Sequence, residues 1–529
     1  MVQRARVRSL AGILAATVIG LGVLGGPAAA QVPPTPHALP PAHPNAVSAR
    51  GLPGSWIIGV DPRNRAATAF AARSASKRLT GLPAFVVATG RARALARSER
   101  RRGALLYSEP DVSSTRAQSA GPGSLAQYNG WRSYLVPNGL NPPAAGPLLV
   151  LIDSQVDLTH PAIQGGHIRS SSSAAPTDEH GTATSGLAAG LDSVLGFQGV
   201  WPGANTEVVV TDLSCTSVAQ GVLQAVTMHA AVINMSLGSP QPCFTLYLSL
   251  MAAVGAGVLP VASAGNEFLQ GNPISFPASF PHMLTVAAVS LPSLAPAFFS
   301  TRNLGVDLAA PGVKIVSPVP PQFDTDSDRD GWLAVSGTSA SAPMVAALAT
   351  WIKAIRPDLD GQQIATLLRS TAKPIYLPLV YNPDTGYGLP QLAAALQAPT
   401  PNRSLFEPND DIPLVDGQFF GQPDPFVWTG AGSQTIVGGL DLFKNPADVY
   451  RVQVPGHSVM HVRLRAQLGI VTLAVFGSRA KTTAAHPIAR RRIRRTGAVV
   501  VRNRGGTAVM YVQAKTASVG AIYHMTIGH

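Results

Sequence analysis

Apolar and polar positions follow three different patterns along the chain. From about residue 148, short continuous apolar runs alternate with helical stretches. Leu148–Ile152, Glu207–Val210, Ala231–Met235 and Val258–Val261 read as buried strands, with Val218–Ala230 and Thr245–Ala256 as helices between them. This predicts an α/β fold, an open parallel sheet flanked by helices, with reactive residues gathered at the carboxyl ends of its strands. Upstream, Ser55–Val60, Ala84–Ala88 and Gly103–Tyr107 read as strands, and Ala66–Leu79 and Ala92–Arg101 as helices. So short a unit buries little and needs a partner surface. Downstream of Pro399-Thr400-Pro401-Asn402 the pattern changes to short alternating strands, among them Asp448–Val454, Val459–Leu464, Thr472–Phe476 and Val509–Gln513, which predicts an antiparallel β-sandwich.

The ends of the chain read differently. Arg4, Arg6 and Arg8, an apolar stretch from Leu10 to about Gly26 and Ala28-Ala29-Ala30 form a secretory signal, so the protein is expected outside the cytoplasm, extracellular or periplasmic. No later window holds an uninterrupted apolar span, so no membrane span is expected once the signal is removed. Residues 31–50, rich in Pro, Ala and His, read as a flexible leader.

Charged residues are 13% of the 529 and the apolar class 46%, which excludes a chain disordered throughout. The net charge of +13 divides into +3 for residues 1–30, +9 for 31–123, −7 for 124–400 and +8 for 401–529. The basic excess sits at the two ends and the middle is acidic, so no nucleic-acid partner is expected. The opposite charges suit docking of the N-terminal unit, through its basic face, onto the middle. Two cysteines rule out a disulfide-built scaffold. Cys215 and Cys243 each follow a predicted strand, and in an exported protein they can pair if those strands are neighbours.

Three strand-end or helix-start positions carry reactive groups. Asp153 follows the LLVLI run, His180 lies in D-E-H-G-T, and Ser339 lies in S-G-T-S-A-S-A-P at the start of a long apolar helix, with Pro343 expected in its first turn. A serine there has free backbone N–H groups and a positive dipole end near its oxygen. Together they supply a nucleophile, a base and a carboxylate to orient the base. Asn266, after the VLPV strand, offers a donor for an oxyanion.

The motifs around Asp153, His180, Asn266 and Ser339, in that order, resemble those of the subtilisin-like serine proteases. The likeness extends over roughly residues 120–397 and includes V-I-N-M-S-L-G, A-A-P-G at Ala309–Gly312 and G-Y-G at Gly386–Gly388. It implies Ser236, Leu237 and Gly238 as the substrate-binding edge, protein or peptide substrates, and a monomer needing no cofactor for its chemistry. Gln155 departs from the family's usual glycine two residues after the Asp. His180 and Asn266 argue against the sedolisin-like relatives. The segment ending L-L-Y-S-E-P-D resembles the family's inhibitory propeptide, and E-P-N-D with A-D-V-Y-R-V-Q-V-P-G resembles the prepeptidase C-terminal domain. The expected organisation is a signal peptide at 1–30, leader and α+β propeptide at 31–118, catalytic domain at 119–398 and C-terminal β-sandwich at 402–529, with processing between Asp111 and Ser124. A catalytically silent binding protein on this scaffold, and an esterase or amidase using the same triad, stay open as alternatives.

Two weaker signals remain. Asp326, Asp328 and Asp330 with Gly331 form D-x-D-x-D-G, a calcium candidate without the bidentate Glu of an EF-hand. Arg490–Arg495 is a basic run that reads as a solvated loop between strands.

Overall fold

The computed structural model describes residues 54–116, 119–121, 130–326 and 329–529; the signal stretch 1–30 and the leader lie outside the described residues. At its centre is a parallel sheet of seven strands, ordered Leu308–Pro311, Leu284–Val289, Leu259–Ser263, Val232–Met235, Leu149–Asp153, Thr206–Val210 and Ile168–Ser170. The chain enters the sheet at the fifth of these strands, Leu149–Asp153, lays down the edge strand Ile168–Ser170 and the strand Thr206–Val210 on one side of it, and then crosses to the other. The crevice at that reversal is where such sheets bind ligands.

Alternation along the strand Leu149–Asp153 divides the core. Leu149 and Leu151 pack with Thr338–Ile355 and His180–Ala189 on one face. Val150 and Ile152 pack with the helices Cys215–Thr227 and Phe244–Gly255 on the other. All four side chains are fully buried, as expected for a strand covered on both faces.

The N-terminal unit is a four-stranded antiparallel sheet ordered Lys77–Arg78, Ala84–Ala88, Ser55–Val60 and Leu105–Pro110, with helices Arg65–Ser74 and Thr89–Arg101. Trp56, Ile58, Val60, Phe85 and Val87 face its own helices. Ile57, Val86 and Tyr107 face the other way, into the core around Cys215–Thr227 and Phe244–Gly255. The partner surface is thus real, and the sheet is buried on both faces. The first helix stops at Ser74, short of Leu79, because Lys77 and Arg78 pair with Val86 and Phe85. Gly103, at φ +66°, turns the chain into the last strand, which runs from Leu105 on to Pro110.

The mode of docking corrects the charge argument. Arg91, Arg93, Arg97, Arg100, Arg101 and Arg102 are exposed, and the sheet docks through apolar side chains and two acids, with Arg116 beyond it the basic residue that meets an acid of the α/β unit. The Asp111 carboxylate accepts from Thr216 N at 3.0 Å and from its Oγ1 at 2.8 Å, and Glu109 does the same on the neighbouring helix. Helix N-termini, with their unsatisfied N–H groups, select carboxylates whatever the net charge of either unit.

The C-terminal unit holds two four-stranded antiparallel sheets around one core. One is ordered Ser433–Asp441, Gly520–Gly528, Ser458–Leu468, Thr496–Asn503, and the other Ala447–Val454, Ala508–Thr516, Val471–Phe476, Ala489–Ile493. Only the end of the basic run is a loop: Arg494 and Arg495 join two strands, whereas Arg490, Arg491 and Arg492 are exposed on the edge strand Ala489–Ile493, where charge discourages pairing with another chain. This unit is fixed to the α/β unit by buried ions. His282 Nε2 lies 2.8 Å from Asp410 Oδ2, and Lys444 Nζ 3.0 Å from Asp307 Oδ2. Among the described residues no helix is long and apolar enough to cross a membrane.

Candidate active site

Asp153 is the last residue of the strand Leu149–Asp153, so its side chain emerges at the carboxyl edge of the sheet. Its carboxylate is held from several sides. Oδ1 accepts from Ser154 N at 2.7 Å and contacts His180 Nδ1 at 2.6 Å, while Oδ2 accepts from Thr184 Oγ1 at 3.0 Å. Burial alone would raise this carboxyl, but the adjacent His180 and its hydrogen bond, Arg116 and the Ser154 amide hold it below the usual carboxylate range. Asp153 therefore stays ionised at neutral pH, the state needed to orient an imidazole.

His180 opens the helix His180–Ala189. Gly181 permits its approach, since a Cβ there would stand 2.4 Å from Ser154 O and 2.7 Å from Gln155 O. His180 Nε2 is buried and has no hydrogen-bond partner among the described residues. Gln155, the departure from the family pattern, accepts from Thr177 Oγ1 at 3.1 Å, and the contact of His180 Nδ1 with Asp153 is made in its presence.

Ser339 is the second residue of the helix Thr338–Ile355. Its hydroxyl donates to Ser236 O at 3.2 Å, and Ser236 Oγ donates back to Ser339 O at 3.0 Å. The second contact has a local cause. Pro343 is the sixth residue of the helix, one turn later than its place in the sequence reading, and it has no N–H to give the carbonyl four residues back. That carbonyl is Ser339's, and Ser236 takes the place of the missing donor. Asn266 follows Gly265, whose φ of +104° bends the chain off the strand Leu259–Ser263. Asn266 Oδ1 accepts from Thr338 N at 2.9 Å and from Thr338 Oγ1 at 2.8 Å. With the oxygen so engaged, Nδ2 is the end of the amide that can meet a developing oxyanion.

The edge Ser236, Leu237, Gly238 is paired with the chain itself. Thr115 N donates to Gly238 O at 2.8 Å, and Gly238 N to Thr115 O at 2.9 Å. On the opposite side Ser114 N donates to Leu213 O at 2.8 Å, and Cys215 N to Val112 O. Residues 112–115 are therefore the central strand of a small antiparallel arrangement. Arg116, next along, pairs with the Asp178 carboxylate and lies 3.8 Å from Asp153 Oδ1. The sequence reading singled out neither Arg116 nor Asp178. The only local sign was an acid two residues before His180.

Cys215 and Cys243 form a disulfide, with Cα atoms 6.3 Å apart. Their preceding strands are not neighbours, because Leu149–Asp153 lies between them. The bond joins the starts of the two following helices instead. Asp324, Asp326 and Asp330 each bring a carboxylate oxygen within 4.8 Å of the others, and Asp328 lies outside the described residues. Some of these oxygens also accept from their own loop, as Asp324 Oδ2 does from Gly331 N at 2.8 Å. Three carboxylates on one turn are a donor set that suits a hard cation such as calcium.

Comparison with known proteins bears on the α/β unit. The Subtilase family profile matches residues 144–405. The thermostable alkaline protease of Halalkalibacterium halodurans is 33% identical over 261 residues, 48% of this chain and 68% of that protein. Subtilisin E of Bacillus subtilis is 31% identical over 264 residues, 47% of this chain and 65% of that protein. The matches thus span about two thirds of the length of these relatives. Among solved structures, fervidolysin from Fervidobacterium pennivorans, a keratinolytic enzyme related to subtilisin, superposes with a TM-score of 0.59 at 17% identity, covering 90% of this chain and 93% of that one. At that identity the likeness is one of fold.

Proposed function

Because this chain belongs to the subtilase family, we propose that it is a secreted serine endopeptidase matured by removal of its N-terminal unit. The observation that carries the reading is the 2.6 Å contact of Asp153 Oδ1 with His180 Nδ1, beside a helix start that bears Ser339. In the proposed reaction Ser339 Oγ forms a bond to the scissile carbonyl carbon while its proton passes to His180 Nε2. The negative oxygen is met by Asn266 Nδ2 and the Ser339 N–H. Collapse breaks the C–N bond, His180 returns the proton to the leaving amine, and water then hydrolyses the acyl-enzyme by the same steps. Asp153 orients the imidazole and stabilises its charged form. A calcium ion would be held by Asp324, Asp326 and Asp330, where it would order their loop; no step of the hydrolysis runs through it.

The N-terminal unit acts in this reading as an intramolecular inhibitor, which its docked sheet and the strand at 112–115 support. The C-terminal unit corresponds to the prepeptidase C-terminal type. The test is intact mass and N-terminal sequence of the secreted protein, wild type beside Ser339→Ala, in a host whose own proteases are controlled. Loss of the N-terminal unit from the wild type alone is expected. Retention by both variants would overturn the reading.

A further inference from the structure

We propose that the outward face of the sheet Ser433–Asp441, Gly520–Gly528, Ser458–Leu468, Thr496–Asn503 is a docking surface for an acidic polysaccharide, whose carboxylates it meets with arginines. The proposal concerns what the C-terminal unit holds, and it stands whether or not Ser339 hydrolyses anything.

The charge is one-sided. Residues 449–529 contain thirteen Lys and Arg and no Asp or Glu. Along Ser458–Leu468, Met460, Val462, Leu464 and Ala466 turn into the core, so Arg463 and Arg465 stand exposed on the opposite face. Two residues apart on one strand, they are about 7 Å from each other. Register gives each a second arginine one strand away. Arg463 lies opposite Ala498, whose carbonyl accepts from Arg491 Nη1 at 3.3 Å. Next to Arg465, Ala466 N donates to Arg495 O at 2.8 Å. Arg502 is exposed further along Thr496–Asn503.

The needs of the fold do not account for this face. Charge on Ala489–Ile493 protects an edge, but Ser458–Leu468 is an interior strand, paired on both sides, with no edge to protect. Nor do these arginines form ion pairs within the sheet. Arg463 lies between Thr526 and Ala498, and Arg465 between His524 and Thr496. Among the described residues, Arg463, Arg465, Arg491, Arg495 and Arg502 take part in none of the ion pairs. Cross-strand pairs of opposite charge would have stabilised the sheet. Their absence leaves the positive charge for a partner.

The chemistry of the face selects among polyanions. Its cations are arginines, whose planar forks match a carboxylate with two parallel hydrogen bonds. Tyr523 is the one Phe, Tyr or Trp in the four strands and it is buried, so no platform exists on which the bases of a single-stranded nucleic acid would stack. Val437 and Ile522 line a cleft shared with residues 405–407, which leaves Val500 as the large exposed apolar residue of the arginine-bearing strands, too little to enter a lipid layer. A linear polymer needs neither feature. Lying along the two strands, it sums several weak contacts through one chain. Outside the cytoplasm, where this protein is proposed to act, a carboxylated polymer of that shape is an acidic polysaccharide.

The experiment follows fluorescence anisotropy of labelled polygalacturonate titrated with the full-length Ser339→Ala protein at roughly 0.15 M salt. Arg463→Gln combined with Arg465→Gln should weaken binding about tenfold. Arg479→Gln combined with Lys481→Gln removes as much charge from the other side of the unit, where Ala480 packs on Ile412 and Val415, and should leave the affinity within about twofold. Absence of binding overturns the proposal. So does an equal loss in both variants, which would mean that net charge and not this face attracts the polymer. Tighter binding to vesicles of anionic phospholipid or to oligo-dT than to polygalacturonate overturns the assigned partner. Should the first pair fail to fold, Arg494→Gln with Arg495→Gln, in the turn between strands, is expected to weaken binding by about threefold or more, and an unchanged affinity counts against the face.

Discussion

Glu109 Oε2 lies 2.7 Å from Phe244 N, with Oε1 at 2.8 Å from Thr245 N and 2.6 Å from its hydroxyl, so a carboxylate from the N-terminal unit closes the first turn of a helix in the α/β unit. Burial pushes this carboxyl up to about 7, against the pull of those three hydrogen bonds. Raised above its free value, it contributes stability that is fully present below about pH 4.5 and lost as pH rises through about 7. The melting temperature of the full-length Ser339→Ala protein should therefore fall between pH 5 and pH 8. The change corresponds to roughly 3 kcal/mol at most. Glu109→Gln in the same background should flatten that part of the profile, and an unaltered slope would assign the effect elsewhere.

Replacing Asp153 by Asn keeps the shape of the site but lets the ring nitrogen face an amide. Turnover on a peptide substrate should drop by about three to four orders of magnitude with little change in KM, the scale known for this substitution in a triad. Steady-state kinetics of the processed variant, matured with wild-type enzyme in trans, would test it. A loss of less than tenfold would remove Asp153 from the role of orienting His180.

Asn266→Ala should lower kcat by about a hundred- to a thousandfold and leave KM near the wild-type value, a magnitude measured in this same family rather than derived from this structure. The split between kcat and KM is the informative quantity. A change confined to KM would mean that Asn266 holds substrate and does not meet the oxyanion.

His282 joins the α/β and C-terminal units. Burial would lower its pKa, but Asp410 at 2.8 Å, and then Glu407, push it up to about 9. Burial raises Glu407 as well. Raised groups of both kinds lose their stabilising contribution as pH increases, Glu407's from about pH 4.5 and His282's from about pH 6.5, so attachment of the C-terminal unit weakens progressively and is weakest once pH passes 9. Limited proteolysis across this range should release the C-terminal unit above pH 9. His282→Gln should release it at pH 7.

The candidate site was readable because each of its parts has a local signature. Asp153 ends an apolar run, His180 and Ser339 begin helices of small residues, and Asn266 follows a strand with a glycine before it. What was not readable depends on partners far along the chain. Whether Ala66–Leu79 stays helical was decided by pairing of Lys77 and Arg78 with the strand at Ala84–Ala88. The run at Arg490 became an edge strand through Val471–Phe476. Docking of the N-terminal unit was misjudged because net charge carries no information about where helix N-termini lie. Arg116 and Asp178 were missed since their meeting depends on a strand register, which composition and spacing do not contain.

The Cys215–Cys243 bond links the two helix starts that receive Asp111 and Glu109. Those acids are two residues apart, so the dock is a two-pronged plug entering a socket of fixed gauge. Once one prong is seated, the second engages at a high effective concentration and adds avidity without new surface. The gauge is set by an oxidation that the cytoplasm disfavours and the exterior permits. If the protein is exported as proposed, export finishes the socket, and the grip on the N-terminal unit becomes tightest in the compartment where a protease would be released.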